Sequence, residues 1–292
     1  MNPDTNRSKS LRQTLRRIVQ PIAFVAKSRI SSAKRLILGR NVEALLIDTD
    51  QGLFLIEPED VGVGGLLIKR GSYGEDEIER ISSITSRTSR VLFVGAHIGA
   101  LAIPISKKVK QVTAIEANPL TFRLLSRNIL LNRCENIYAI QIAASDKKGD
   151  LEYVVSRANS GGSKRMPLIR AYKYFYDHPS VVKVEADMLD NVVSGEYDVI
   201  VMDIEGSEYF ALKGMERILS QAAYLIVEFV PHHLRNVSNV SVREFLQPIM
   251  PHFSELTIPS RNLMIDKSQF VSALESMYEA NEEDDGIIFS KN

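Results

Sequence analysis

RVLFVGAHIGALAIPISKKVKQVTAIEANP, residues 90–119, decides the fold. A short apolar run, Arg90–Val94, enters a turn holding Gly95 and Gly99. A helical stretch over Gly99–Lys108 follows, and then a second apolar run, Gln111–Glu116, stops at an acid. Apolar runs of that length between turn residues read as strands buried on both faces. Strand, helix and strand in that order form a βαβ unit, parallel and right-handed. Glycine at the first turn permits a positive φ and lets a ligand approach the backbone. An acid about twenty residues after such a turn accepts hydrogen bonds from ribose hydroxyls. Turn and acid together point to a nucleoside site.

The alternation continues outward from there. Pro119–Asn132 reads as a helix with Pro at its first position. Ile137–Ala143 is a strand, Tyr197–Asp203 another, Glu208–Ser220 a helix and Ala223–Phe229 a strand. This pattern predicts an α/β fold, a doubly wound, mainly parallel sheet with helices on both faces. His252–Ile258 and Gly286–Ser290 read as an antiparallel closing pair, with the acidic stretch Glu279–Asp285 as a solvated turn. Upstream, residues 43–57 form a β-hairpin turning at Asp50-Gln51-Gly52. The glycine-rich GVGGLLIKRGSYG, 62–74, reads as a loop and Glu75–Thr85 as a helix. Three regions result: a basic helical arm over 1–40, a hairpin and helix over 41–89 that act as lid or wall, and the main domain over 90–292.

With 45% apolar and 25% charged residues the chain is an ordinary globular one, not disordered. Its single cysteine, Cys134, excludes an internal disulfide and a cysteine zinc cluster, and fits a cytoplasmic setting. Residues 1–40 carry ten Lys or Arg against one acid, Asp4, a net of +9, so the rest carries −9. Residues 8–38 read as one or two basic amphipathic helices broken near Pro21, with Leu11, Leu15, Ile18, Ile22 and Val25 on one stripe. The arm either lies on an anionic membrane surface or packs its stripe on the main domain or a second subunit, the commoner use of such a stripe. It lacks aromatics interleaved with its charges, having only Phe24, and the main domain is acidic, so no nucleic-acid partner is expected.

Three junctions carry the chemistry. The first turn, GAHIG (95–99), lacks the G-x-G-x-x-G of a dinucleotide site, which favours a ligand without a diphosphate. S-adenosylmethionine, an adenosine with a short amino-acid tail, fits better. In QIAASDKKG, 141–149, Ala143, Ala144 and Ser145 leave room for an adenine, although small residues are common after any strand. In YDVIVMDIEGSEYFALKGMERIL, 197–219, a buried strand delivers Asp203, Glu205 and Glu208 to its carboxyl end, where open α/β sheets bind ligands. Glu208 can equally be a helix-start acid. Glu228 ends the next strand, and His232 and His233 follow Pro231. Asp203, Glu205, Glu228 and either of the two histidines, with His232 put first, are the candidates for general base. No metal ligand is assigned, and a cation held by the carboxylates remains the alternative to a base.

The order of the glycine turn, EANP (116–119), AASD (143–146), DIEGSEYFALKG (203–214) and YLIVEF (224–229) resembles the FkbM-type methyltransferases. The resemblance spans about residues 43–230 and includes GLFLIEP (52–58) and GSYGEDE (71–77). It implies a seven-stranded Rossmann-like methyltransferase sheet, S-adenosylmethionine as cofactor and O-methylation of a hydroxyl on a sugar, glycan or natural product. The turn residues Gly95, Ala96, His97 and Gly99, the acid Glu116 with Ala117, and Ala144, Ser145, Asp203 and Tyr73 would then hold the cofactor. Glu77 would lie at the entrance. Two departures bear on activity. Phe93 and His97 stand where the family has Asp and Asn in D-x-G-A-N-x-G, and Val201 stands where it often has Lys. The competing readings are a scaffold that binds cofactor without turnover, tethered by its basic arm, and an NAD or nucleotide-sugar enzyme. The acceptor pocket falls to loops 156–181 and 230–243, the first holding Tyr172, Tyr174, Phe175 and Tyr176 as a platform for a sugar ring or a packed face.

Overall fold

The computed structural model describes residues 22–291. The part of the arm before Ile22, with Leu11, Leu15, Ile18 and the break at Pro21, lies outside the described residues.

Residues 22–38 are helical (α1). They lead into a hairpin, β1 (Leu45–Thr49) and β2 (Gly52–Ile56), paired antiparallel with Thr49 opposite Gly52. The hairpin docks through two asparagines one turn apart. Asn132 and Asn128 each accept from and donate to the backbone of β2, at Leu53 and at Leu55. An edge strand that would bare its backbone is satisfied in this way.

The segment 62–74, expected as a loop, contains a helix, α2 (Val63–Arg70). Its signals lie on either side of the glycines. The Asp60 carboxylate accepts from the N–H groups of Gly62 (2.9 Å) and Gly64 (2.6 Å), and Gly71 closes the helix at φ 71°. The next helix, α3 (Glu75–Ser83), was expected.

The main sheet is built from β3 (Arg90–Val94), β4 (Gln111–Glu116), β5 (Ile137–Gln141), β10 (Val199–Met202) and β11 (Tyr224–Phe229), all parallel. Three further strands, β12 (Glu255–Ile258), β13 (Leu263–Asp266) and β14 (Asp284–Ser290), extend it antiparallel. The order is β13-β12-β14-β11-β10-β3-β4-β5, eight strands where seven were expected. The closing pair is present as β12 and β14; β13 went unread because LMID carries no strand-like alternation. Alternate residues face opposite cores. Val91, Phe93, Val199 and Val201 pack towards β2 and α3 with α4 (Ala102–Ser106) and α5 (Pro119–Leu131). Leu92, Val94, Ile200 and Met202 pack towards α6 (Glu208–Lys213), α7 (Glu216–Gln221), α8 (Val242–Leu246) and α9 (Phe270–Ala280).

Other boundaries moved for physical reasons. The strand read over 137–143 ends at Gln141, and β6 (Ala143–Ala144) joins a second sheet with β7 (Gly149–Val155), β8 (Lys164–Arg165) and β9 (Ser180–Asp187), ordered β6-β9-β7-β8. The helix over 208–220 breaks at Gly214, where a Cβ would stand 2.0 Å from the carbonyl oxygen of Ser145. The first crossover helix is only Ala102–Ser106. The acidic stretch is not all turn: Asp284 is buried in β14 and accepts from the N–H of Ser260 and of Gly286.

The arm packs the other way round from the packing expectation. The side chains of α1 turned to the protein are Phe24, Ser31, Lys34 and Arg35. Lys34 donates to the Asp60 carbonyl, Arg35 pairs with Glu59 at 2.6 Å, and Phe24 stacks on Tyr176. Ile22 and Val25 face outward.

Candidate active site

Strand order reverses between β3 and β10, the place where open α/β sheets form a crevice. Gly95 at the tip of β3 has φ 92°, and a Cβ there would lie 1.9 Å from the carbonyl oxygen of Asp203 at the tip of β10. Only glycine lets the two tips meet. They open into a cleft at the carboxyl ends of the strands, where such sheets bind small molecules. Gly95, Ala96, His97, Glu116, Ala117, Ala144, Asp203 and Tyr73 line it. Gly99 and Ser145 do not. Gly99 turns to Leu125 and Ile103, and the Ser145 N–H is bound to the Asp187 carbonyl. Sequence reading missed Tyr153, Ser160 and Ser163, which reach the cleft from the second sheet and its loop. The run SGGS, 160–163, was the available sign.

Glu116 is held rigidly. Its Oε1 accepts from Asn118 N–H (2.8 Å) and the Thr121 hydroxyl (3.0 Å), and its Oε2 from His97 N–H (2.8 Å). A carboxylate has about four acceptor positions, so one remains, on Oε2. His97 has φ 51°, which aims that N–H at Glu116. Histidine and asparagine both tolerate this left-handed conformation better than most residues, so His97 is a fitting replacement for the family's Asn. Burial keeps its ring neutral, and Nε2 meets the Ser160 hydroxyl at 2.7 Å. Phe93 lies in the cleft wall.

A polar cluster adjoins the cleft at Asp203. Asp203 is open to the cleft although protein surrounds it, and burial together with Glu228, Glu205 and Glu208 pushes its pKa well above the usual range. Glu228 is raised likewise, by burial and then by Glu205 and Glu208. Glu205 goes the other way. Burial opposes its charge, but the Lys164 ammonium at 2.6 Å and His233 at 3.2 Å hold its pKa well below the carboxylate range. The turn that aims Glu205 has φ 56° there and 103° at Gly206. Glu208 accepts from the N–H of Ile204 and of Gly206, the helix-start role foreseen as its alternative.

The histidine of the cluster is His233, not His232. His233 bridges Glu205 and Glu228, 3.2 Å from each. His232 meets the Tyr174 hydroxyl at 3.0 Å, and burial and neighbouring cations keep it neutral. Tyr174 is thus taken up by His232, Tyr176 by Phe24, and Tyr172 is exposed, so the three tyrosines form no single platform. Asp203, Glu208 and Glu228 bring carboxylate oxygens within 4.8 Å of one another, a donor set able to take a cation. Glu77 sits in an adjoining pocket with Tyr73, Arg80, Asp203 and Asp285.

Away from the cleft floor, Glu57 has an Oε1 with no hydrogen-bond partner among the described residues. Burial, then the charges of Asp60, Glu59 and Glu116, push its pKa up to about 8. The native state therefore holds this proton long after the unfolded chain has released it near its ordinary value of 4.5, and stability falls as pH rises through that window. Glu57→Gln removes that loss. Its stability relative to wild type, followed by thermal melts, is expected to climb between pH 5 and 8 by up to about 1.4 kcal/mol per pH unit. Parallel melting curves across that range would show that Glu57 ionises normally.

The parallel sheet, the cleft at its reversal point and the strand-end acid define an α/β fold of the nucleoside-binding class. The methyltransferase FkbM domain matches residues 94–253, more than half the chain, and the protein belongs to that family. The chain is 29% identical over 160 residues to the hexuronic acid methyltransferase AglP of Haloferax volcanii, covering 53% of this chain and 62% of that protein. It is 35% identical over 88 residues to the tRNA(Phe) (4-demethylwyosine(37)-C(7)) aminocarboxypropyltransferase of Methanocaldococcus jannaschii, covering 30% of this chain and 34% of that one. The chain thus spans less than two thirds of either relative. Among solved structures, methyltransferase FkbM from Methylobacillus flagellatus is 17% identical with a TM-score of 0.42, over 70% of this chain and 44% of that one. Among the described residues no helix is long and apolar enough to cross a membrane.

Proposed function

We propose that the protein methylates a hydroxyl group of a sugar, with Asp203 as the general base. The observation that carries this reading is Asp203 itself: a carboxyl of raised pKa, open to the cleft, backed by Glu228 and by His233. An alcohol is a poor nucleophile until it loses its proton, and a base poised nearer neutrality is what that step needs. The relative named for hexuronic acid supports a sugar acceptor.

The donor set fits the cofactor. The remaining acceptor position of Glu116 suits a ribose hydroxyl, and Ala144 with Ile142 leaves width for an adenine. Phe93 supplies no acceptor for the cationic end, so Glu77 and Asp285 in the adjoining pocket are the acids available to it. When bound, S-adenosylmethionine supplies an electrophilic methyl on a sulfonium. The chain's own work is to hold the acceptor oxygen in line and about 3 Å away, exclude water and take the proton onto Asp203.

Glu116→Ala is expected to weaken S-adenosylmethionine binding by at least tenfold in calorimetry, with a normal circular dichroism spectrum. Unchanged affinity would remove Glu116 from the site. The acceptor class is tested with S-adenosylmethionine and a panel of hexuronic acids, neutral sugars, amines and tRNA, read by mass spectrometry. A methyl on a sugar oxygen is the expected product; one found only on nitrogen, carbon or tRNA overturns the reading.

A further inference from the structure

We infer that α1 is a membrane-surface helix, docking the protein on an anionic bilayer. The helix is inverted relative to an ordinary surface helix. It meets the protein through Ser31, Lys34 and Arg35 together with the ring of Phe24, while Ile22, Val25, Ile30, Leu36 and Ile37 point to solvent. Leu36 and Ile37 are 85% and 82% exposed, about as bare as side chains in a helix become. At 100° per residue Ile22, Leu36 and Ile37 share one face with Ala26 and Ala33, and Val25 and Ile30 border it. Globular proteins turn such a stripe to their core, and this one turns it away.

The charge pattern selects the occupant. Arg29 lies within the apolar face, Lys27 on its flank and Arg40 just beyond its end. Residues 1–40 carry a net of +9 and the remainder −9, so the arm is drawn to an anionic surface that repels the body. An apolar face seated at the acyl boundary with Lys and Arg at headgroup level is how interfacial helices bind. A second exposed apolar patch lies on the loop that the inner face of α1 contacts. Leu168, Ile169 and Tyr172 are exposed beside Arg170 and Lys173, and four residues on, Tyr176 stacks on Phe24 of α1, 4.8 Å between ring centroids. That same loop carries Tyr174, which meets His232 beside the acidic cluster.

The test is sedimentation of the full-length protein with vesicles of phosphatidylcholine alone or mixed with phosphatidylglycerol. Binding is expected to the anionic vesicles, at least tenfold weaker to neutral ones, and to fall as salt rises. Leu36→Ser combined with Ile37→Ser removes only exposed groups and should keep the melting temperature while weakening vesicle binding at least tenfold. Lys27→Glu with Arg29→Glu should erase the preference for anionic lipid. Failure to bind anionic vesicles overturns the inference. So does a dimer in analytical ultracentrifugation that the double serine variant dissolves in protein that ignores vesicles, since a second copy would then cover the face.

Discussion

Asp203→Asn is expected to lower kcat by ~10²–10⁴-fold, the range for removing a general base. Binding of S-adenosylmethionine should stay within a few fold. Asparagine keeps the size of the side chain, and the Asp203 backbone, against which Gly95 packs, is untouched. The change removes only the ability to accept and hold a proton. A pH profile separates this from a positioning effect. Because burial and three neighbouring carboxylates raise the pKa of Asp203, the wild-type rate should climb with pH along a limb lying above the ordinary carboxylate range. The Asn variant should lose that limb. An affinity loss large enough to account for the whole fall in activity would reassign Asp203 to holding the cofactor, and full activity would remove it from the mechanism.

What could be read from the sequence follows from how local each signal is. The buried strands β3, β4, β10 and β11 announce themselves as apolar runs, because a strand covered on both faces has no polar side to interrupt it. Gly95 and Glu116 are equally plain, since one backbone conformation and one strand end demand them. The second sheet was not legible. Its members β6 and β8 have two residues each, too short for any periodicity, and they exist through pairing with β9 and β7 across the fold. Lys164 was missed with them. It is a lysine in an unremarkable stretch, and only the turn at Glu205 reveals its partner 41 residues away. The choice between His232 and His233 is decided by helical geometry over consecutive residues, which turns one ring to Tyr174 and the other to Glu205. Such a choice depends on the element that the pair starts, not on the residues themselves.

Lys164→Met should destabilise the fold by about 3–5 kcal/mol at neutral pH, the usual result of orphaning one member of a buried ion pair. The side chains of Lys164 and Glu205 are 6% and 19% exposed, so water screens the pair little. Methionine fills similar space but leaves Glu205 charged beside raised-pKa carboxyls, with His233 as its remaining partner. The pH dependence identifies the cause. In the wild type Glu205 is held below its unfolded pKa of 4.5, so its stabilising contribution is complete above that value and is lost as pH falls through the depressed native value. In Lys164→Met the depression is largely gone, so the variant suffers most at pH 7. Its deficit in urea melts should shrink towards pH 4, where Glu205 takes up a proton. Lys164→Met combined with Glu205→Gln should recover most of the loss, because the double variant buries no unpaired charge. A deficit that is the same at both pH values and additive with Glu205→Gln would mean that Lys164 contributes by packing over the Tyr174 ring, 5.0 Å from its centroid, and not by its charge.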